Sequence, residues 1–127
     1  EQYSEFSARY ISAISDSITE VPVIVFAKGA YFARKEFGKS SCSVIGLDWN
    51  MDIEESRTLV GPGKTLQGNM DPCLLYADFD TIKSATEKML KAFGPHRHIA
   101  NLGHGLYPDT EKDKVKFYID TVKNFKF

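Results

Sequence analysis

Four short apolar runs, each followed by a helical pattern, constrain the architecture of this chain more than any single residue does. Residues 22–26, Pro-Val-Ile-Val-Phe, are a continuous β-branched and aromatic run, the pattern of a strand covered on both faces in a parallel sheet. Residues 43–47, 64–67 and 97–101 read as three further strands. Between them, residues 30–37 form a short helix closed by Gly38, and residues 53–60 a helix stopped by Gly61-Pro62-Gly63. Asp52 with Glu55 three residues on is a capping-box pattern for the second of these. The longest helix covers 79–93, with Asp78 as its cap and Ile82, Ala85, Met89, Leu90 and Phe93 as its apolar stripe. Thr110 reads as the cap of a last helix burying Val115, Tyr118, Ile119 and Val122. Ahead of the first strand, Phe6, Tyr10, Ile11, Ile14 and Ile18 mark the buried face of a helix over 4–18. Strands separated by single helices predict a parallel sheet with right-handed crossovers, so the fold class is α/β: four strand-helix units preceded by a helix.

At 127 residues this plan fits one domain, 1–127, with a core of its own. A net charge of −1 and the lack of a basic stripe argue against nucleic acid as a partner. The longest apolar run, residues 21–27, is far short of the roughly 20 residues a membrane-crossing helix needs. Cys42 and Cys73 are too few for a disulfide framework and belong to no metal-ligand spacing, so reduced thiols in a cytosol-like compartment are expected. The chain opens on Glu1 in what reads as a half-finished helix, which suggests a processed or truncated product.

In a parallel sheet the carboxyl ends of the strands share one face, and the loops that leave them converge on the site. The residues there are Lys28-Gly29, Asp48-Trp49, Gln67-Gly68-Asn69 and Asn101-Leu102-Gly103-His104. His104 sits between glycines that let the backbone turn tightly and let a ligand approach its imidazole, which can donate hydrogen bonds to an anion. Its alternative is a histidine whose ring nitrogens satisfy the turn itself. Lys28 and Asp48 could equally form a structural ion pair, and Trp49 reads as packing. His96 and His98 precede their strand and fall at the opposite end, as surface or packing residues. Gly61-Pro62-Gly63-Lys64-Thr65 contains G-K-T, but it lacks the glycine spacing of a phosphate loop and precedes a strand instead of opening a helix.

The stretches Gly46-Leu47-Asp48-Trp49, Thr65 through Cys73, Phe93-Gly94-Pro95-His96-Arg97 and Ile99 through Asp109 resemble, in order and spacing, the C-terminal part of the uroporphyrinogen decarboxylases. The resemblance covers residues 22–127. It implies the C-terminal half of a TIM (β/α)8 barrel, a cytosolic or plastid homodimer, and a step of haem or chlorophyll biosynthesis. That family removes the four acetate carboxyls of uroporphyrinogen as CO2, giving coproporphyrinogen, with no metal or organic cofactor. Its N-L-G-H-G histidine falls on His104, which would contact the substrate. The family's central aspartate, its carboxylate-binding arginines, its tyrosine and its N-terminal P-x-W-x-M-R-Q-A-G-R segment have no counterpart here. Arg9, Arg34, Arg57 and Arg97 match none of those positions, so no catalytic residue is assigned.

A whole barrel takes about 250 residues, and this chain supplies four strands of eight. Such a half exposes two strand edges and an apolar sheet face. Its completing partner would be the missing N-terminal half or a second copy, and the isolated chain should be inactive. Two other readings compete: a non-catalytic half-barrel that binds porphyrin or mediates assembly, and a zinc-dependent methyltransferase of the same superfamily. The second needs a strand-end thiol, which neither Gly46-Leu47-Asp48-Trp49 nor Asn101-Leu102-Gly103-His104 provides.

Overall fold

A computed structural model describes residues 2–127. Its centre is one four-stranded sheet in the order β1 (Ile24–Phe26), β2 (Val44–Gly46), β3 (Thr65–Met70) and β4 (His98–Leu102). All three pairings are parallel. Because each strand lies beside the next in sequence, the right-handed crossovers put every intervening helix on the same face. Those helices are α2 (Arg34–Lys39), α3 (Ile53–Val60) and α4 (Phe79–Phe93), with α1 (Arg9–Ser17) before β1 and α5 (Lys112–Asn124) after β4.

The helix starts follow local chemistry. Asp52 accepts the Glu55 N–H at 2.7 Å to open α3, and Asp78 accepts the Thr81 N–H at 2.7 Å to open α4. Asp71 caps a short 3-10 turn, Pro72–Tyr76, that leads from β3 toward α4. The last helix departs from expectation, since it is Glu111 that occupies its cap position, and the buried Thr110 hydroxyl caps nothing among the described residues.

Strand register explains the core. Val25, Ile45, Leu66 and Met70 alternate onto the helix side and are buried there, together with Phe37, Ile82, Met89, Leu90 and Phe93 from the helices. Arg34 ties α2 to α3: its guanidinium donates to the Ser56 hydroxyl and pairs with Glu55 at 2.7 Å. The opposite face is only partly covered: Val44, in the middle of it, is buried, but its neighbours are not. Ile24 is 50% exposed and Phe26 45%, so the first strand, read as covered on both faces, is covered on one. The N-terminal helix is also turned over relative to the sequence reading. Its π-helical start, Ser4–Ala8, and α1 bury Ala8 and Ser15, while Phe6 and Ile14 are 66% and 58% exposed. No helix among the described residues is long and apolar enough to cross a membrane.

Candidate active site

The polar residues collected from the strand ends do come together, and the connections between them can be followed one at a time. Asp48, 2% exposed just beyond β2, accepts the Gly29 N–H at 2.6 Å and so fastens the loop after β1 to the loop after β2. Its other carboxylate oxygen is buried with no partner among the described residues. Asn69, in the last turn of β3, donates its side-chain amide to the carbonyls of Asp48 at 2.9 Å and Met51 at 2.8 Å. The loop that carries Trp49 is thereby held from both sides. The loop after β4 closes on the same place. A Cβ at Gly103 would sit 2.2 Å from the Trp49 backbone nitrogen, so only glycine permits this approach.

That contact aims His104. Its ring lies edge-on to Trp49 at 5.9 Å and to Phe26 at 6.5 Å between centroids. A side chain that follows β4 reaches one from β1 because the sheet curls. The one histidine ring hydrogen bond among the described residues belongs to His98, so His104 is not spent on satisfying its own turn. A cleft of about 250 Å³ opens beside it, lined by Phe26, Gly46, Gln67, Asn101, Gly103 and His104 among others. Gly46 contributes by absence, since a Cβ there would meet the Phe26 ring at 2.8 Å.

Other expected residues fall elsewhere. Lys28 does not pair with Asp48; its ammonium lies 5.9 Å from the Trp49 ring centroid, which makes Trp49 a platform as well as packing. His96 is exposed and contributes its carbonyl to Arg57. His98 is half-buried and stacks on Phe93, with centroids 3.8 Å apart. Burial, and after it the nearby Arg57, hold its pKa below the ordinary imidazole value. Sequence reading missed a bridge at the rim. The Tyr76 hydroxyl donates to Asp109 at 2.5 Å, joining the loops after β3 and β4, and this bond raises the Tyr76 pKa. The two positions are 33 apart in sequence, and no spacing rule connects them. A larger opening of about 670 Å³ lies in the helix layer between α3 and α4, lined by Met51, Leu74, Met89 and Phe93 among others. It shares no residue with the His104 cleft, and size alone does not outweigh the convergence of the strand-end loops. No three His, Cys, Asp or Glu side chains gather as a metal-ligand set among the described residues.

The sequence profile of the uroporphyrinogen decarboxylase family matches residues 1–125. The chain belongs to this family. It is 42% identical to the uroporphyrinogen decarboxylase of Pongo abelii, over 94% of this chain and 35% of that protein. The uroporphyrinogen decarboxylase of Christiangramia forsetii is also 42% identical, over 99% of this chain and 37% of the relative. The chain thus spans about a third of the length of the decarboxylases it matches, and the matched part is their C-terminal portion. Among solved structures, a methyltransferase from Methanosarcina mazei superposes with a TM-score of 0.81 at 16% identity, covering 97% of this chain and 36% of that one. At that identity the likeness concerns the fold alone: four parallel β/α units of a partial TIM barrel, as the sequence predicted.

Proposed function

We propose that this chain forms the C-terminal wall of a uroporphyrinogen decarboxylase cleft, with His104 binding the tetrapyrrole substrate. The single observation that carries the reading is the placement of His104. The family's N-L-G-H-G turn holds its ring over the carboxyl ends of the strands, beside a cleft, with its nitrogens unspent. The reaction converts uroporphyrinogen III to coproporphyrinogen III. At each of four acetate arms a proton adds to a pyrrole carbon, and the cationic ring then accepts the electron pair of the breaking C–C bond as CO2 leaves. A second proton completes the methyl group while the ring proton departs, so each arm consumes one proton and releases one CO2. The ring is its own electron sink, which makes a metal or organic cofactor unnecessary.

Such a site must hold an octa-anionic ligand and stabilise a cationic pyrrole. His104 supplies one N–H donor toward a substrate carboxylate or pyrrole, Phe26 and Trp49 supply apolar walls, and Gln67 an amide. The acid that pairs with the cationic ring and the arginines that hold the carboxylates belong to the other half of the barrel. Completion by an N-terminal half, or by a second copy, covers the apolar face around Ile24, Phe26 and Ile99. The whole enzyme is a homodimer working in the cytoplasm or a plastid, and this chain alone is inactive.

Trp49, the one tryptophan, tests the binding step. Uroporphyrin, the stable oxidised form of the substrate, should quench Trp49 fluorescence saturably, and His104→Ala should weaken binding about tenfold, the effect of losing one charge-assisted hydrogen bond. Quenching that is linear in ligand, or indifferent to His104→Ala, would remove His104 from the substrate site. Tight binding by a stable dimer that gains no turnover when supplied with an N-terminal half would favour a non-catalytic porphyrin-binding role.

A further inference from the structure

One histidine bond lies behind the cleft wall and is not explained by packing. The His98 Nε2 stands 2.8 Å from the Gly68 carbonyl oxygen, and because a carbonyl only accepts, Nε2 carries the proton. We infer that His98 is a positioning residue for the cleft: its N–H anchors the Gly68 carbonyl and so fixes Gln67, which lines the cleft, and Asn69, which braces the Trp49 loop.

The backbone at this point is unusual. Gly68 has φ +136°, a conformation that side-chain-bearing residues rarely adopt, and a Cβ on it would lie 3.0 Å from the Leu47 carbonyl oxygen. Gly68 nonetheless keeps its place in the parallel ladder opposite Ala100, so the imidazole N–H is a second hold, from a side chain, on a strand carbonyl that has two lone pairs. Two residues diverge from it. Gln67 lies on the cleft, and Asn69 reaches the Asp48 and Met51 carbonyls.

The donor is itself immobilised. The imidazole lies flat on Phe93, with planes 7° apart, and the Arg57 guanidinium lies over the same Phe93 ring at 5.8 Å. Arg57 is tied in turn to the Phe93 and His96 carbonyls at 3.3 and 3.1 Å. A stack drawn from α3, α4 and β4 thus points one N–H at one carbonyl of β3. The charged group that acts on the imidazole is Arg57, from α3; Arg97, beside it in the chain, donates to the Gly63 carbonyl, and Lys91 in the last turn of α4 lies by Glu87 and the Phe125 ring. Burial, with Arg57, disfavours a second proton on the ring and outweighs the Gly68 bond, which favours it. The sign of the pH effect follows. The share of stability tied to His98 is complete above the ordinary imidazole pKa and is lost as pH falls through the lowered one.

Two variants separate the donor from the ring. His98→Phe keeps an aromatic stack on Phe93 and removes the N–H; His98→Gln removes the ring and keeps an amide donor. In the ligand-free chain, His98→Phe should shift the Asn69 side-chain amide resonances and the Trp49 emission with unchanged far-UV circular dichroism. His98→Gln should restore both signals toward wild type. Where the cleft binds uroporphyrin, His98→Phe should weaken binding about tenfold and His98→Gln by about twofold or less. Wild-type Asn69 and Trp49 signals in His98→Phe, or equal losses in both variants, would overturn the inference. Should His98→Phe not fold, nitrogen-15 shifts of the wild-type imidazole decide: an Nε2–H tautomer kept below the ordinary pKa of about 6.5 supports it, and an Nδ1–H tautomer contradicts it. The binding arm rests on the tetrapyrrole reading. If the wild-type chain ignores uroporphyrin that reading fails, and the ligand-free signals still judge His98.

Discussion

On the helix side of the sheet, Val25, Ile45, Leu66 and Met70 are sealed beneath α2, α3 and α4, whereas on the concave side Ile24, Phe26 and Ile99 stay open to solvent. Both faces belong to the same strands and alternate residue by residue. The sealed face makes the fold, and the open face carries Gln67 and the His104 cleft. Within this chain, then, the core and the candidate site use opposite sides of one sheet. A substitution should affect one and spare the other unless it strikes the loop fastenings that join them.

The sharpest contrast comes from paired truncations. Leu66→Ala, at a side chain with no exposure, should cost about 2–5 kcal/mol in denaturant unfolding, a large part of the stability of a domain this size. Ile99→Ala, on the neighbouring strand but the open face, should cost under about 1 kcal/mol. Equal losses would mean that the concave face is covered in solution, most simply by another copy of the chain. A fastening should fall between these. Asn69→Ala leaves the carbonyls of Asp48 and Met51 without their donor and should cost about 1–3 kcal/mol, together with a shift in Trp49 emission. Smallest in stability is His104→Asn, expected within about 0.5 kcal/mol of wild type in thermal melts, because the ring's neighbours are aromatic edges only. Ile24→Glu should likewise leave the melt nearly unchanged while lowering the sedimentation-derived mass of any self-associated species.

The fold was legible because its signals are local. The Asp52 and Asp78 caps, the Gly61 and Gly94 stops and the four apolar runs each act within a few residues. What failed shares another cause. Periodicity in the N-terminal helix identified an apolar stripe, Phe6 to Ile18, but periodicity carries no information on whether the surface that covers it is near. The strand over residues 22–26 misled in the same way, its β-branched composition fitting a strand covered on both faces though the second layer is absent around it. For the site, the rule that strand-end loops converge gathered Asp48, Trp49, Gln67, Asn69 and His104 correctly. The fastenings among them, from Asp48 to Gly29 and from Tyr76 to Asp109, span 19 and 33 residues and follow no motif. His98 packs as its sequence position suggested, stacked on Phe93, and one of its bonds was out of sight of that reading. Its position at the start of β4 placed it far from the cleft, but a side chain reaches two residues along the neighbouring strand to Gly68.

We propose that His104 and its cleft are one wall of a decarboxylase site whose acid and arginines lie on the other half of the barrel. The most direct measurement is coproporphyrinogen formation from uroporphyrinogen by three preparations: the 127-residue chain alone, the chain with a separately made N-terminal half of a family member, and the same mixture carrying His104→Ala. No turnover is expected from the first, turnover from the second, and a loss of about tenfold or more in the third. Turnover by the chain alone, or a complemented enzyme indifferent to His104→Ala, would contradict it.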